Sequence, residues 1–393
     1  MDKRYLVAGL AVAVVAAGSF TLGRLQTPPA PPPAVPVAQT SVPPGHPPAG
    51  APQVPLREYD HFRVGNRNIK AMVADGDTMW IGTSGGVIRY DIPTDSHILY
   101  DNKTGLLSNG VFHLSRFGND LWVGTYGGGL SVLDLTTNTW REYNVPNGMG
   151  DAFVYDVLHT KAGDTWVATW SGANRIRGNQ MDDMEAWDLY TVANTEKGLP
   201  NDWVYGLAEG KNGEIWMATE GGVARFVDGQ WTRWTHAEGL GANFEIVKTQ
   251  VSLNSDPGTQ SRHHAQQKKE QGLEDVSVAY NPNYVISIAV DDDGSVWAGT
   301  WGGGLSHFDG KQWKTMTMAD GLPSNHIFML KKKDGVLWVG TNRGLAKYDG
   351  KGFTTFGVSD GLFSESVFSM AFGKDNSTWV GSFGGVARFR KAL

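Results

Sequence analysis

The sequence predicts an all-β fold, a seven-bladed β-propeller of four-stranded antiparallel blades, and two observations support this. A cluster of the form Trp-x-Gly/Ala-Thr/Ser recurs seven times, at intervals of 41–50 residues except for one of 81. A repeat of about 40–45 residues made of short strands is typical of propeller blades. Glycine (51 residues) and tryptophan (15 residues) are frequent, as expected for short strands joined by tight turns. The clusters centre on Trp80, Trp122, Trp166, Trp216, Trp297, Trp338 and Trp379.

Each repeat unit contains four predicted strands. An apolar strand, such as VYGLAE at 204–209, leads through a polar turn to the tryptophan strand. A glycine turn follows, then a third strand such as GLAKYD at 344–349, and then an aromatic fourth strand such as FTTF at 353–356. The tryptophan supplies a large flat surface for packing between blades, and the glycine two positions later lets the neighbouring backbone come close. The Thr or Ser can bond to the backbone of the turn.

The last unit ends at VARFRKAL, after its third strand, and the missing aromatic strand precedes the first unit as LREYDHF. Tyr59 and Phe62 keep the spacing of Trp140 and Tyr143 in a complete unit. We therefore expect residues 56–64 to form the outermost strand of the last blade, so that the propeller domain spans 56–393 and its ends are joined.

The interval of 81 residues contains a predicted polar insertion at 241–280. It includes the stretch SDPGTQSRHHAQQKKEQGLED, without a tryptophan or a glycine pair, so an eighth blade is not expected there. Long loops of this kind are often functional or disordered. The structure of the insertion stays open at this point, as does metal or haem binding by His263, His264 or the linker residue His46.

The N-terminus reads as a targeting segment over residues 1–26. Lys3 and Arg4 precede an uncharged apolar run, Tyr5–Gly23, which is long enough to cross a bilayer as a helix. We expect a retained inner-membrane anchor with the rest of the chain outside, or a secreted protein if the segment is cleaved. Residues 27–55 form a proline-rich linker, which favours an extended spacer between anchor and propeller.

Composition excludes several classes of function. The net charge of −6 gives no basic surface for nucleic acid. The absence of cysteine excludes disulfides, thiolate metal sites and a catalytic thiol. Asp291–Gly294 resembles part of a calcium loop but lacks the distal glutamate, so no metal site and no cofactor are expected. No nucleophile motif or phosphate loop is present, and an enzyme is the less favoured class.

The repeat units resemble the two-component-regulator propeller repeat. The residues that carry the resemblance are DGLPSNHIFML at 320–330, KGLPNDWVYGL at 197–207 and LWVGTNRGL at 337–345. In that family the propellers lie in the outer sensor regions of bacterial hybrid histidine kinases and serve extracytoplasmic sensing, in some members of glycan fragments. The resemblance therefore implies a binding module without naming its ligand.

A binding site is expected at the mouth of the central channel, where the glycine turns and the links into the next blade share one face. Two positions of each unit should surround this mouth: the variable residue of the Trp cluster's turn and the residue before the first strand's Val or Ile. Flat aromatic groups with scattered polar groups suit sugars, peptides or a partner's loop. The candidate ligand-binding residues are Tyr126, Trp170, Trp301, Phe383, Glu220, Trp203, Tyr284 and His326. Packing between blades is the alternative role of these aromatic groups.

Three hypotheses for the function follow. The favoured one is a non-catalytic, membrane-tethered scaffold that binds a protein partner in an assembly of the cell envelope. The alternative is a ligand sensor or glycan-binding propeller for an oligosaccharide-type ligand at the aromatic mouth. The third is a lyase-like enzyme with Glu220 and His326 as an acid–base pair. The membrane is expected to be contacted through the N-terminal segment only.

Overall fold

A computed structural model of the protein describes residues 58–250 and 278–393, together with residues 265, 268, 269 and 276. The predicted N-terminal hydrophobic helix (1–26) and the linker (27–55) lie outside these residues, and so does much of the 241–280 insertion. The helix therefore has no support from the structure. No helix in the described part is long and apolar enough to cross a membrane.

Five antiparallel four-stranded sheets form separate blades, and in each the chain proceeds from the innermost to the outermost strand. One blade contains β5 (Val111–Phe117), β6 (Asp120–Thr125), β7 (Leu130–Asp134) and β8 (Thr139–Tyr143). The next contains β9 (Val154–His159), β10 (Thr165–Thr169), β11 (Gly172–Ile176) and β12 (Trp187–Tyr190). A third contains β13 (Val204–Glu209), β14 (Ile215–Thr219), β15 (Gly222–Val227) and β16 (Gln230–Trp234).

The remaining two blades follow the insertion. The first contains β17 (Asn281–Val290), β18 (Val296–Trp301), β19 (Leu305–Phe308) and β20 (Trp313–Met316). The second contains β21 (Ile327–Lys333), β22 (Val336–Thr341), β23 (Gly344–Tyr348) and β24 (Phe353–Phe356). Helices are short: α1 is Phe244–Val247, and 3-10 turns lie at Val145–Asn147, Arg177–Asn179, Met184–Ala186, His236–Glu238, Met318–Asp320 and Val358–Asp360.

The first and last repeat units share a single six-stranded sheet. Its members, in spatial order, are β25 (Val367–Phe372), β26 (Thr378–Phe389), β1 (Tyr59–Asp75), β2 (Thr78–Thr83), β3 (Gly86–Asp91) and β4 (Ser96–Tyr100). The prediction of seven four-stranded blades is therefore wrong, since five sheets of the described residues have that form. The cause is the length of β1, whose start pairs with β26 (Tyr59 opposite Phe389) and whose end pairs with β2 (Asp75 opposite Thr78).

The innermost strands enclose the central channel. Each of β1, β5, β9, β13, β17, β21 and β25 contacts the next in this order, and β25 contacts β1, so that they close a ring. The two ends of the described chain meet in this closure. The start of β1 pairs with residues 385–389 of β26, and the Arg390 amide donates to the Glu58 carbonyl at 3.0 Å.

The packing role predicted for the repeat tryptophans is confirmed, because all seven are at most 4% exposed. They lie in apolar clusters that combine residues of neighbouring sheets. In five units a cation from the third strand lies over the indole ring, at 5.1 Å for Arg388 and Trp379, and this adds a cation–π attraction to the apolar packing. The other pairs are Arg89 with Trp80, Arg175 with Trp166, Arg225 with Trp216 and Lys347 with Trp338.

The predicted roles of the glycine and the threonine in the cluster are also confirmed. A Cβ atom on Gly340 would lie 2.8 Å from the Val367 carbonyl of the next inner strand, so the neighbouring backbone comes close there. At Gly381 and Gly299 the atoms of that strand that come close are in side chains: Ile69 at 2.6 Å and Ile327 at 2.5 Å. The Thr125 hydroxyl donates to the Gly129 carbonyl at 2.8 Å across its turn. The same bond, at 2.8–2.9 Å, recurs at Thr83, Thr169, Thr219, Thr300 and Thr341.

The turns between second and third strands and the links into the next inner strand lie on one face of the ring, which we call the mouth face. Hydrogen bonds connect these segments: the Gly86 amide donates to the Asn109 carbonyl at 2.7 Å, and the Tyr126 amide to the Gly110 carbonyl at 2.7 Å. The described ends of the insertion are held here as well, because the Tyr280 hydroxyl donates to the Ala242 carbonyl at 2.7 Å. The mouth face is therefore a connected belt around the channel.

Candidate binding site at the channel mouth

All eight candidate residues lie on the mouth face, but they differ in exposure. Phe383 is 40% exposed, and Tyr126 and Trp203 are partly exposed. The other five are buried: Trp170, Trp301, Tyr284, Glu220 and His326. Burial of these five favours packing among themselves over direct contact with a large ligand.

One aromatic group forms around Trp170. Its ring stacks on Phe153 at 4.3 Å and 13°, and on Trp203 at 4.8 Å and 10°. Tyr126 meets Phe153 edge-on at 4.6 Å. With two parallel neighbours and 7% exposure, the Trp170 indole has little free face for a sugar. Tyr126 and Trp203 are the more accessible members of this aromatic group.

A second aromatic group forms around Trp301. Tyr284 stacks on it at 5.6 Å and 20°, and His326 meets it edge-on at 5.4 Å. Tyr205 connects the two groups, since its ring centroid lies 5.1 Å from that of Tyr284 and 4.8 Å from that of Tyr155. Phe383 belongs to neither group; it lies opposite Asn68 in the pairing of β26 with β1.

Glu220 and His326 have different partners in the structure. The Tyr205 hydroxyl donates to a Glu220 carboxylate oxygen at 3.4 Å, whereas His326 Nε2 lies 2.7 Å from the Ala279 carbonyl at the end of the insertion. Burial lowers the pKa of His326 to about 4, so the imidazole is neutral at pH 7 and Nε2 carries the proton that it donates. The pKa of the Tyr205 phenol is raised well above its usual value by burial and by Glu220. In this arrangement the His326 imidazole acts as a neutral hydrogen-bond donor.

Directly below these residues, each inner strand places one side chain in the channel. The ladders to the second strands shift register there, for example between Val111 and His113 and between Val367 and Ser369. The extra residue forms a β-bulge: it has no partner in the ladder, and its side chain departs from the regular alternation of the strand. We call this set the throat: Lys70, Phe112, Tyr155, Tyr205, Ile286, Phe328 and Phe368.

The throat residues touch one another from blade to blade. Ring centroids are 4.6 Å apart for Phe112 and Tyr155, and 5.3 Å apart for Phe328 and Phe368. Ile286 packs in the same cluster as Tyr205 and Phe328. The sequence analysis missed this set, although a signal existed: six of the seven inner strands carry two consecutive apolar residues here, such as Val111-Phe112, where a simple strand would alternate.

A polar layer lies one residue further along the channel. Asp156 accepts a hydrogen bond from the Leu207 amide at 2.8 Å and pairs with His113 Nδ1 at 2.8 Å. It also acts electrostatically on Lys331, whose pKa is lowered mainly by burial. Asp156 therefore connects β9 with β5 and β13, and its carboxylate is already satisfied by protein groups.

Comparison with known proteins agrees with this architecture. The family model described as two component regulator propeller matches residues 198–221, 279–302 and 321–343. Three segments of this chain, each in a different unit, are thus similar to two-component-regulator propeller repeats. Each repeat comprises a mouth-face link, two strands and the turn that follows, so Trp203, Glu220, Tyr284, Trp301 and His326 all lie within them. No curated protein matches the chain.

Solved propellers share the fold. The extracellular domain of the putative hybrid two component system BT3049 from B. thetaiotaomicron is 22% identical at a TM-score of 0.62, with 82% of this chain and 39% of that chain covered. This chain thus spans about two fifths of that one. A streptogramin B lyase is 12% identical at a TM-score of 0.58, covering 84% and 96%. YCF48 bound to D1 peptide is 12% identical at a TM-score of 0.55, covering 88% and 99%. At such identities the likeness concerns the fold alone.

Proposed function

We propose that this chain is an extracytoplasmic, non-catalytic binding propeller that docks a protein partner of the cell envelope on its mouth face. The resemblance of its repeats to those of sensor propellers and the apolar N-terminal segment support the location. A peptide-bound propeller among the solved structures of this fold supports the kind of ligand. The positions of the exposed apolar side chains support docking on this face.

Exposed large hydrophobic side chains are concentrated on the mouth face. Of the eight in the described part of the chain, five lie in its turns and links: Leu107, Val145, Ile246, Val358 and Phe383. The other three lie on the outer strand β4 (Ile98) or toward the opposite face (Phe117 and Met184). Apolar groups gathered on one face of a soluble protein mark an interaction surface, and apolar and aromatic groups form the buried centre of protein interfaces.

Capture of partners from native membranes tests this function. The full-length protein should retain a defined partner that is lost when Leu107 and Phe383 are replaced by aspartate, because two charges would be buried without counter-ions. A matched variant with aspartate at Met184, which is 62% exposed toward the opposite face, should keep the partner. Equal capture by both variants would rule out the mouth face as the docking surface.

The role of the insertion is tested with the same assay. Ile246 lies at its start and is 55% exposed, so Ile246→Asp should weaken capture if the insertion contributes to docking. Deletion of 241–280 is a coarser change, because it also removes Ala279, the hydrogen-bond partner of His326. Capture that survives both changes would restrict docking to the turns and links outside the insertion.

A further inference from the structure

Lys70 is the single charged member of the throat. Five of the seven throat positions are aromatic and one is Ile286, so the remaining wall of the constriction is apolar. Lys70 occupies the same bulge position on β1 that Phe112 occupies on β5 and Phe368 on β25. An ammonium group therefore lies where the fold elsewhere places a ring.

The backbone holds this lysine in the channel. Ile69, just before it, is fully buried and packs against Gly381 of the neighbouring strand. Two residues after it, Met72 is 6% exposed. With both flanks fixed in the core, the bulge cannot rotate its side chain out of the ring.

The Lys70 ammonium has an aromatic neighbour but no carboxylate. Its Nζ lies 4.2 Å from the centroid of the Phe368 ring, a cation–π contact. Within the described residues no ion pair or hydrogen bond to an acidic group involves Nζ, and burial is the only cause that lowers its pKa, to about 8. At pH 7 the amine is thus still mostly protonated, with three donors of which the ring occupies one direction.

Nearby charged groups do not compensate Lys70. Asp156, in the layer below, is paired with His113 and the Leu207 amide, and Glu220 accepts from Tyr205. Arg67, three residues earlier on the same strand, is another cation; its guanidinium lies over Gly85, where a Cβ would meet it at 2.3 Å. The charged groups on this part of β1 are therefore both positive, and a partly buried cation such as Lys70 is stabilised by an anion.

We propose that the throat binds a carboxylate carried on an apolar or aromatic stem, with Lys70 as its counter-ion. The stem would contact Phe112, Phe328 and Phe368, and the carboxylate would accept a charge-assisted hydrogen bond from the ammonium. Because the group enters through the mouth face, this assignment rests on the proposed function. The same chemistry is offered by a small organic acid and by the free C-terminus of a protein partner.

Matched pairs of probes test the assignment. Binding to the full-length protein is measured by calorimetry for phenylacetate against phenylacetamide, and for a short peptide ending in phenylalanine with a free or an amidated terminus. At least one carboxylate should bind tenfold or more tightly than its amide. Preference for phenylacetate indicates a small acid, preference for the free peptide indicates a chain end, and equal affinity of acid and amide in both pairs overturns the proposal.

Variants at Lys70 give a second readout. Lys70→Met should reduce the affinity for the carboxylate at least tenfold, whereas Lys70→Arg should retain most of that affinity. Lys331→Gln is the control: it removes another channel lysine, near Asp156, and should change the affinity by no more than about threefold. Unchanged binding by Lys70→Met would refute the assignment. The capture assay with Leu107 and Phe383 variants does not depend on Lys70, so the docking function and the throat site fail separately.

Discussion

Replacing Lys70 by methionine should stabilise the protein at neutral pH. Methionine keeps most of the length of the side chain and removes a charge that the folded throat desolvates without a counter-ion. Burial lowers the pKa of Lys70 from its ordinary 10.5 to about 8. That difference corresponds to a reduction of up to about 3 kcal/mol in the free energy of unfolding of the wild type. The reduction applies at a pH where the amine is charged in both the folded and the unfolded protein.

The pH dependence has a definite sign. Below pH 8 the amine is protonated in the folded and the unfolded protein, so the cost is constant and the methionine variant is more stable. Between pH 8 and 10.5 the unfolded chain binds more protons than the folded one, so the stability of the wild type rises relative to the variant. The advantage of Lys70→Met should therefore disappear as the pH approaches 10.5.

Chemical denaturation of the full-length protein at pH 7, 8.5 and 10 measures this difference. Subtracting the wild type from the variant cancels the titration of all other groups. Lys103→Met serves as the control, because Lys103 is exposed, and it should change stability little at any pH. A Lys70→Met protein that is equally stable or less stable than the wild type at pH 7 would contradict the desolvated, unpaired state of the lysine.

Two further changes probe the packing and the charges of the blades. Gly381→Ala should lower the free energy of unfolding by about 1–3 kcal/mol, because its Cβ would lie 2.6 Å from Ile69. Gly352→Ala is the control and should change stability little, since no atom lies within 4 Å of its Cβ position. Equal effects in thermal or chemical unfolding would argue against close packing at the cluster glycine. Burial raises the pKa of Glu142 to about 7 although Ser131 donates to it at 2.5 Å. The free energy of unfolding of the wild type should therefore fall as the pH rises from 4.5 to 7, and that of Glu142→Gln should fall less. Parallel curves of stability against pH for the two proteins would contradict this prediction.

Much of the fold could be predicted from single residue types because each has a strong local cause. A tryptophan such as Trp122 must be buried, and a glycine such as Gly299 must leave room for Ile327. The division into sheets could not be read in the same way. Whether β1 ends one sheet or joins two depends on hydrogen bonds between segments more than 300 residues apart, such as the pairing of Tyr59 with Phe389.

The candidate site was predicted in its location but not in its depth. Turn positions such as Tyr126 and Phe383 do lie on the mouth face, since turns and links of successive units alternate around the ring. Periodicity does not reveal how far each side chain leans inward, and Trp170 and Glu220 are buried. The throat was missed because a β-bulge breaks the alternation that strand patterns rely on, so that Lys70 reads as an ordinary residue on the polar side of a strand.

The shared sheet of the first and last repeats also has a consequence for synthesis of the chain. The beginning of β1 is synthesised more than 300 residues before its partner, residues 385–389. Until then the first repeat carries an open sheet edge, and the ring can close only after β26 has left the ribosome. Bringing two such distant segments together costs chain entropy before the contacts between them can stabilise the fold. A nascent propeller of this kind therefore exposes the unpaired strand edge of residues 59–63 until β26 has been synthesised.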